Sequence, residues 1–514
     1  MNKMNQKELL DTLQHQFGFD EFREGQYDII QDIFCGEDVL GILPTGTGKS
    51  LCYQLPAFSF EGVTVVISPL VSLMIDQVKK LKAKGFKRVT AINSLLDHNQ
   101  RDNIFAHLNE YKLIYCSPEM LQNPFFFKHL KTLTISLFVV DEAHCISQWG
   151  HEFRTDYLKL KDSIKKLGNP TVLALSATAT PQVQDDIQYF LDKPNMKKRI
   201  YYMDRPNIAF SIEHVSNWQE KVNRITDILQ HKPVPTMIYF SSRKWCEKVS
   251  EILKKELGSL RIAYYHGGME ADDRLLIQQQ FMNHQLDVIC CTSAFGMGVD
   301  KQDIRLVIHF HLPAQMESFI QEAGRAGRDG KESVSLVLYT DGDEQIPLRL
   351  IEQELPTEKQ TENIFQDINK CKTSSLPLKK VKEELIFKNE LTETQWNFLQ
   401  YQFEKQQMVH NEQFHLDSKL LEDTFQQILF LLRERTTIKI KKLYEFIRWV
   451  KTPGCRRKDL YQTFQKGYQS PVYYCCDHCD FSFSKWNPPM NQIEEKVEGW
   501  EVELKRIFHQ EAIM

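Results

Sequence analysis

The chain has 514 residues, a net charge of −4, and 42% apolar against 26% charged residues, which fits about three globular domains of ~150 residues each. The charge argues against a static basic coat on nucleic acid. No apolar run reaches the ~18 residues of a bilayer span, and the polar start, Met1–Leu10, lacks a signal-peptide core, so a cytoplasmic protein without a membrane segment is expected.

Near the start, Phe17-Gly18-Phe19 and Phe22-Arg23-Glu24-Gly25-Gln26 set aromatics close to an arginine and a glutamine. The group suits either a base-reading pocket, with Phe19 stacking and Gln26 bonding an adenine edge, or a packed helix start. Spacing does not choose between them.

Leu43-Pro44-Thr45-Gly46-Thr47-Gly48-Lys49-Ser50 follows a strand and opens a helix. Its glycines let backbone N–H groups face phosphate oxygens, and the helix N-terminus adds partial positive charge. Lys49 is expected to reach the β- and γ-phosphates and Ser50 to hold Mg²⁺. The strict pattern has Gly where Leu43 stands.

Val63–Ser68, Lys112–Cys116, Leu137–Asp141 and Val172–Ser176 read as buried strands, with helix-period segments at Leu70–Leu81 and Pro181–Leu191. This alternation predicts a parallel, doubly wound sheet. Asp141-Glu142-Ala143-His144 ends a strand, Leu137–Val140, apolar enough to lie centrally, and such sheets bind ligands at the carboxyl ends of their strands. Asp141 is expected to hold Mg²⁺ through water, and Glu142 to orient and deprotonate the attacking water.

The rhythm restarts after Asp204-Arg205-Pro206-Asn207. Thr236–Phe240, Ile262–Tyr265, Val288–Cys291, Leu306–His309 and Val334–Tyr339 read as strands, Arg243–Glu256 and Gln315–Ala323 as helices. The expected divisions are 1–205 and 206–344 for two α/β domains, 345–430 for a winged-helix-like segment, 431–485 for a helical, metal-binding module and 486–514 for a tail. In the third, helical runs Lys379–Ile386 and Thr394–Gln406 precede strand-like Met408–Leu416. Arg433–Asp459 carries about seven net positive charges, for example Arg435, Lys439, Lys441, Lys442, Arg456, Arg457 and Lys458; a solvated helix face is the plainest reading. Cys116, Cys290 and Cys291 sit in apolar runs and read as buried thiols. Cys455, Cys475, Cys476 and Cys479 suggest a tetrahedral thiolate zinc site. The adjacent pair needs a bent backbone to share an ion; a partial site, with Asp477 or His478 helping, is the alternative.

These motifs together resemble the RecQ family of DNA helicases, in a short bacterial form. The resemblance runs over about 9–343 and the cysteine cluster, through Phe17–Gln26, the phosphate loop and Leu51–Pro56, Ser68–Val78, Ser117-Pro118-Glu119, Asp141–His144 and Ser176–Thr180. It continues through Tyr239–Arg243, Tyr265–Gly268, Thr292–Lys301 and Gln321–Gly330. Its most diagnostic piece is Cys145–Arg154, similar to the family's aromatic-rich loop that couples DNA contact to ATP hydrolysis. There Trp149 and Phe153 would stack on unpaired bases, at ~1–3 kcal/mol each, and Arg154 would pair with phosphate.

The resemblance implies two tandem RecA-like P-loop domains with parallel sheets, followed by a mainly helical region with a zinc module. It implies ATP, Mg²⁺ and Zn²⁺ as cofactors, and single-stranded DNA and duplex junctions as partners. The implied activity is ATP-dependent, 3′→5′ DNA unwinding in repair, recombination or replication. An RNA helicase, a non-unwinding nucleic-acid-stimulated ATPase, and a binding protein with a decayed motor are the alternatives. The ATP site would comprise Phe19, Arg23, Gln26 and Pro44–Ser50. Arg325 and Arg328, three residues apart, would reach the γ-phosphate from the second domain, Arg328 as the finger and Arg325 as its partner. The chain departs from the family at Glu24 (normally Pro), in the adjacency of Cys475 to Cys476, at Ser482 (Cys in some members), and in a longer connection before Cys455. After Cys479 no room is expected for the family's C-terminal winged helix.

Overall fold

The computed structural model describes residues 6–93, 96–147, 154–296, 301–370, 375–410, 413–415, 417–465 and 467–488. Seven short strands build the first sheet: β1 (Val39–Ile42), β2 (Val63–Ile67), β3 (Val89–Ile92), β4 (Leu113–Cys116), β5 (Ile135–Val140), β6 (Thr171–Ser176) and β7 (Lys197–Ile200). All neighbours pair parallel, in the order β3-β4-β2-β5-β6-β1-β7. Central strands such as β1 and β2 are buried throughout, which is why they read as unbroken apolar runs. Only the edge strand β7, Lys-Lys-Arg-Ile, is polar and largely exposed. Adjacent strands β5, β6 and β1 therefore deliver three loops to one place at their carboxyl ends.

The second sheet contains β8 (Ile208–His214), β9 (Thr236–Tyr239), β10 (Ile262–Tyr265), β11 (Val288–Cys291), β12 (Leu306–His309) and β13 (Ser333–Tyr339). It too is all parallel, in the order β10-β11-β9-β12-β13-β8. The two α/β domains are as expected from the sequence, with β3, β7 and β8 unforeseen.

Beyond them, helices Gln345–Glu354 and Glu358–Lys370 lead to β14 (Ser375–Pro377), helices Leu378–Lys388 and Glu393–Lys405, and a hairpin of β15 (Val409–His410) and β16 (Gln413–His415). The three strands form an antiparallel sheet, β14-β16-β15. Trp396, Phe403, Phe414 and Ile364 centre a separate core. The boundary expected at 430/431 is corrected: helix Ser418–Val450 runs unbroken across it. Its first half adds Ile428 and Leu432 to the separate core, while Leu443, Phe446 and Trp449 join the core of the α/β domains. One helix thus serves two cores, and a composition change partway along it looks like a boundary.

Part of the basic run turns inward, while Arg433, Lys441, Arg448, Lys451 and Lys458 stay exposed. Arg435 lies 3.5 Å from Glu354, Lys439 pairs with the same carboxylate, and Lys442 lies 2.8 Å from Glu317. Arg457 and its partner Asp204 are fully buried, although 253 positions separate them in the chain. Arg457 also donates to the carbonyls of Arg205 and Ile208, clasping the segment between the domains. Burial raises the Asp204 carboxyl above its usual range despite that cation. Arg457→Ala would leave the carboxylate buried without its partner, so it is expected to cost about 3–5 kcal/mol, read from chemical denaturation. A loss below ~1 kcal/mol would contradict this picture. Among the described residues, no helix is long and apolar enough to cross a membrane.

Candidate active site

The loop after β1 curls at Gly46 and Gly48, both in the left-handed region at φ 87° and 75°. Arg23 Nη1 donates to the Gly46 carbonyl at 2.5 Å, and Gln26 Nε2 to those of Thr47 and Gly48 at 2.7 and 3.1 Å. Gln26 Oε1 accepts from the Arg23 N–H at 2.9 Å. Gln26 thus holds the loop from behind, a role its local sequence did not reveal. Leu43, the departure from the strict loop pattern, is buried in the core. Beside the loop, Phe17, Phe19, Arg23, Gln26 and Lys84 line a cavity of 610 Å³. The Lys84 ammonium sits 5.2 Å from the Phe19 ring centre.

Asp141 directly follows β5, and Glu142 takes a left-handed φ of 48° that few non-glycine residues adopt. Burial, then the like charge of Glu142, push the Asp141 carboxyl up to about 7, and Lys49 opposes them. His144 Nδ1 lies 3.0 Å from Ser176 Oγ and 3.4 Å from Glu142. The box after β5 is therefore tied to the last residue of β6. Tyr157 donates its hydroxyl to the Asp141 carbonyl at 3.1 Å. Two crowded carboxylates facing Lys49 and the Ser50 hydroxyl suit a hard divalent cation with oxygen ligands.

The second domain closes this space. Thr45 Oγ1 donates to the Gly324 carbonyl at 3.0 Å, an approach that only glycine permits, since a Cβ there would run into Thr45. Lys49, Ser50, Asp141, Glu142, Gln321, Arg325 and Arg328 together line one cleft of 140 Å³. Arg328 lies along Gly46: a Cβ on that glycine would be 3.0 Å from its Cγ. Arg325 turns back to its own domain and donates to the Gly296 carbonyl. On another side of the interface Gln278 Nε2 donates to Asp76 at 2.7 Å.

Arg154 donates to the Pro69 carbonyl at 2.9 Å and lies 3.8 Å from Glu119, so three separate motifs meet at its guanidinium. Trp149 and Phe153, the expected stacking residues, lie outside the described residues. Arg205, Gln278 and the His144–Ser176 link went unassigned at the sequence level, because each joins positions far apart in the chain.

Cys455, Cys475, Cys476 and Cys479 bring their sulfurs within 4.8 Å of one another. Two pairs, Cys455–Cys475 and Cys476–Cys479, stand at 3.5 Å. A tetrahedral zinc with ~2.3 Å bonds needs sulfurs about 3.8 Å apart, so the set fits that ion. The adjacent cysteines both reach the cluster because the chain bends onto β8: Phe210 donates its N–H to the Cys475 carbonyl at 3.2 Å and accepts from Asp477 at 2.9 Å.

A DEAD/DEAH box helicase family model matches residues 23–187, and a helicase conserved C-terminal domain model matches 220–330. RecS of Bacillus subtilis, named a probable ATP-dependent DNA helicase, is 41% identical over 98% of this chain and 99% of its own. RecQ of the same organism, named an ATP-dependent DNA helicase, is 40% identical over 68% of this chain. The chain belongs to the RecQ family of DNA helicases. The RecQ match covers 59% of that relative's length, whereas the RecS match covers nearly all of both chains. Among solved structures, Mycobacterium smegmatis helicase Lhr bound to single-stranded DNA and AMP-PNP matches 79% of this RecQ-family chain and 60% of its own. Its TM-score is 0.55 at 18% identity, a likeness of fold.

Proposed function

We propose that this chain is an ATP-dependent DNA helicase that hydrolyses ATP in the cleft between its two α/β domains and moves 3′→5′ along one strand. The observation that carries the reading is the single cleft lined by Lys49, Asp141 and Glu142 from one domain and Arg325 and Arg328 from the other. Lys49 and the loop N–H groups hold the triphosphate. Ser50 and Asp141 would hold Mg²⁺, which when bound offsets phosphate charge. Glu142 orients the attacking water and takes its proton. Arg328 supplies positive charge where negative charge grows in the transition state. Because these groups come from separate domains, turnover requires closure, and reopening after hydrolysis advances the strand. Phe19, Arg23 and Gln26 border the base pocket. Trp149, Phe153 and Arg154 are assigned to the DNA strand, and the cytoplasm is the proposed compartment.

On duplexes with 3′ or 5′ single-stranded tails, ATP-driven strand separation is expected on the 3′-tailed substrate. Opening of the 5′-tailed one alone would reverse the polarity. ATP turnover stimulated by RNA but not by single-stranded DNA would replace the DNA reading.

The four cysteines are assigned to structural zinc, and 358–415, with its helix–strand–helix–helix–hairpin order, to a winged-helix-like module. Purified protein is expected to carry about one zinc per chain, and Cys479→Ser to lose most of it. Equal zinc content in the two proteins would remove the assignment.

A further inference from the structure

Arg205 stands in the segment between β7 and β8, and its guanidinium reaches both halves of the nucleotide cleft. Nη1 donates to the Thr45 carbonyl of the phosphate loop at 2.8 Å and to the Gly324 carbonyl at 3.2 Å. Nη2 donates to the Gly327 carbonyl at 2.6 Å. Gly324 and Gly327 bracket Arg325, and Gly327 directly precedes Arg328. A Cβ on Gly46 would lie 3.0 Å from Arg205 Nη1 and 3.0 Å from Arg328 Cγ, so the two arginines flank the same point of the phosphate loop. Among the described residues no carboxylate lies within salt-bridge distance of Arg205, and the hydrogen bonds its guanidinium donates go to carbonyl oxygens. Its own backbone is fixed by Arg457, which donates to the Arg205 carbonyl at 3.2 Å. Asn207 Nδ2 donates to the Gly327 carbonyl at 2.8 Å, bracing the same turn.

We infer that Arg205 is a positioning residue for ATP hydrolysis: its planar fork holds the loop bearing Arg325 and Arg328 in register with the phosphate loop. This rests on the cleft being the hydrolytic site. A rigid fork that spans two loops sets their spacing, whereas an ammonium on a flexible stem does not. A shift of about 1 Å at a charge-stabilising group can cost ~10²-fold in rate while ground-state binding survives. Arg205 should therefore act on the transition state and leave bound ATP nearly alone.

The test compares the full chain with Arg205→Gln and Arg205→Lys, with Mg²⁺ and single-stranded DNA present. Each is titrated with a non-hydrolysable ATP analogue and with ADP plus aluminium fluoride, and kcat and thermal midpoint are measured. Arg205→Gln is expected to lower kcat and aluminium fluoride affinity by about 10- to 100-fold, and analogue affinity by less than about threefold. Arg205→Lys keeps the charge without the fork and should fall nearer Gln than the parent; it also serves if the Gln variant does not fold. Parent-like kcat in the Lys variant, or equal loss of both affinities, would overturn the inference. A parent protein that hydrolyses no ATP would instead remove the functional reading itself.

Discussion

Lys49→Ala is expected to lower DNA-stimulated ATP turnover by about 10²–10³-fold or more while single-stranded DNA binding changes little. Lys49 lines the cleft with Asp141 and Glu142, and the like charge of Glu142 raises the Asp141 carboxyl. Without the ammonium, a triphosphate entering beside them meets more repulsion and loses its main contact from the loop. The backbone N–H groups remain, so the variant should fold and still meet nucleotide weakly. Residues assigned to DNA, such as Arg154 on the Pro69 carbonyl, belong to a different set of contacts and keep their geometry. Turnover measured with and without single-stranded DNA, together with anisotropy of a labelled oligonucleotide, decides the matter. Parent-like turnover would end the assignment of this cleft as the engine.

Arg328→Ala should reduce kcat by about 10³-fold or more and alter the KM for ATP far less, because the arginine's charge counts most as γ-phosphate charge develops. Arg325→Ala should cost less. The Arg325 guanidinium is committed to the Gly296 carbonyl inside its own domain, whereas Arg328 lies against Gly46 of the opposite one. A larger kcat loss in the Arg325 variant would exchange the two roles.

Much of the candidate site was legible in the sequence. A phosphate loop must place glycines at positive φ next to Lys and Ser, and the Gly46–Ser50 run states that need in adjacent letters. Asp141 and Glu142 were marked by the apolar strand before them, Arg325 and Arg328 by their spacing between glycines. Strands β3, β7 and β8 were missed for physical reasons. The first and last are short or interrupted by polar residues, and β7 lies at an edge, where exposure removes the apolar signal. The adjacent cysteines looked awkward because two neighbouring side chains diverge on an extended chain. The bend of 475–477 onto Phe210 brings both to the cluster.

What the chain's letters determined alone was the local pattern: two parallel α/β domains, a glycine-rich loop ending in Lys and Ser, an acidic box, an arginine pair and a cysteine set. The loop, the box and the arginine pair each depend on residues within a few positions of one another, where backbone geometry leaves few choices. Only the tertiary structure decided who meets whom across the cleft: Thr45 with Gly324, Asp76 with Gln278, Arg205 with both loops, Arg457 with Asp204. Those partners lie between about 120 and 280 positions apart, so no local pattern records them. They meet because two sheets, a long helix and a cysteine-bearing turn pack together.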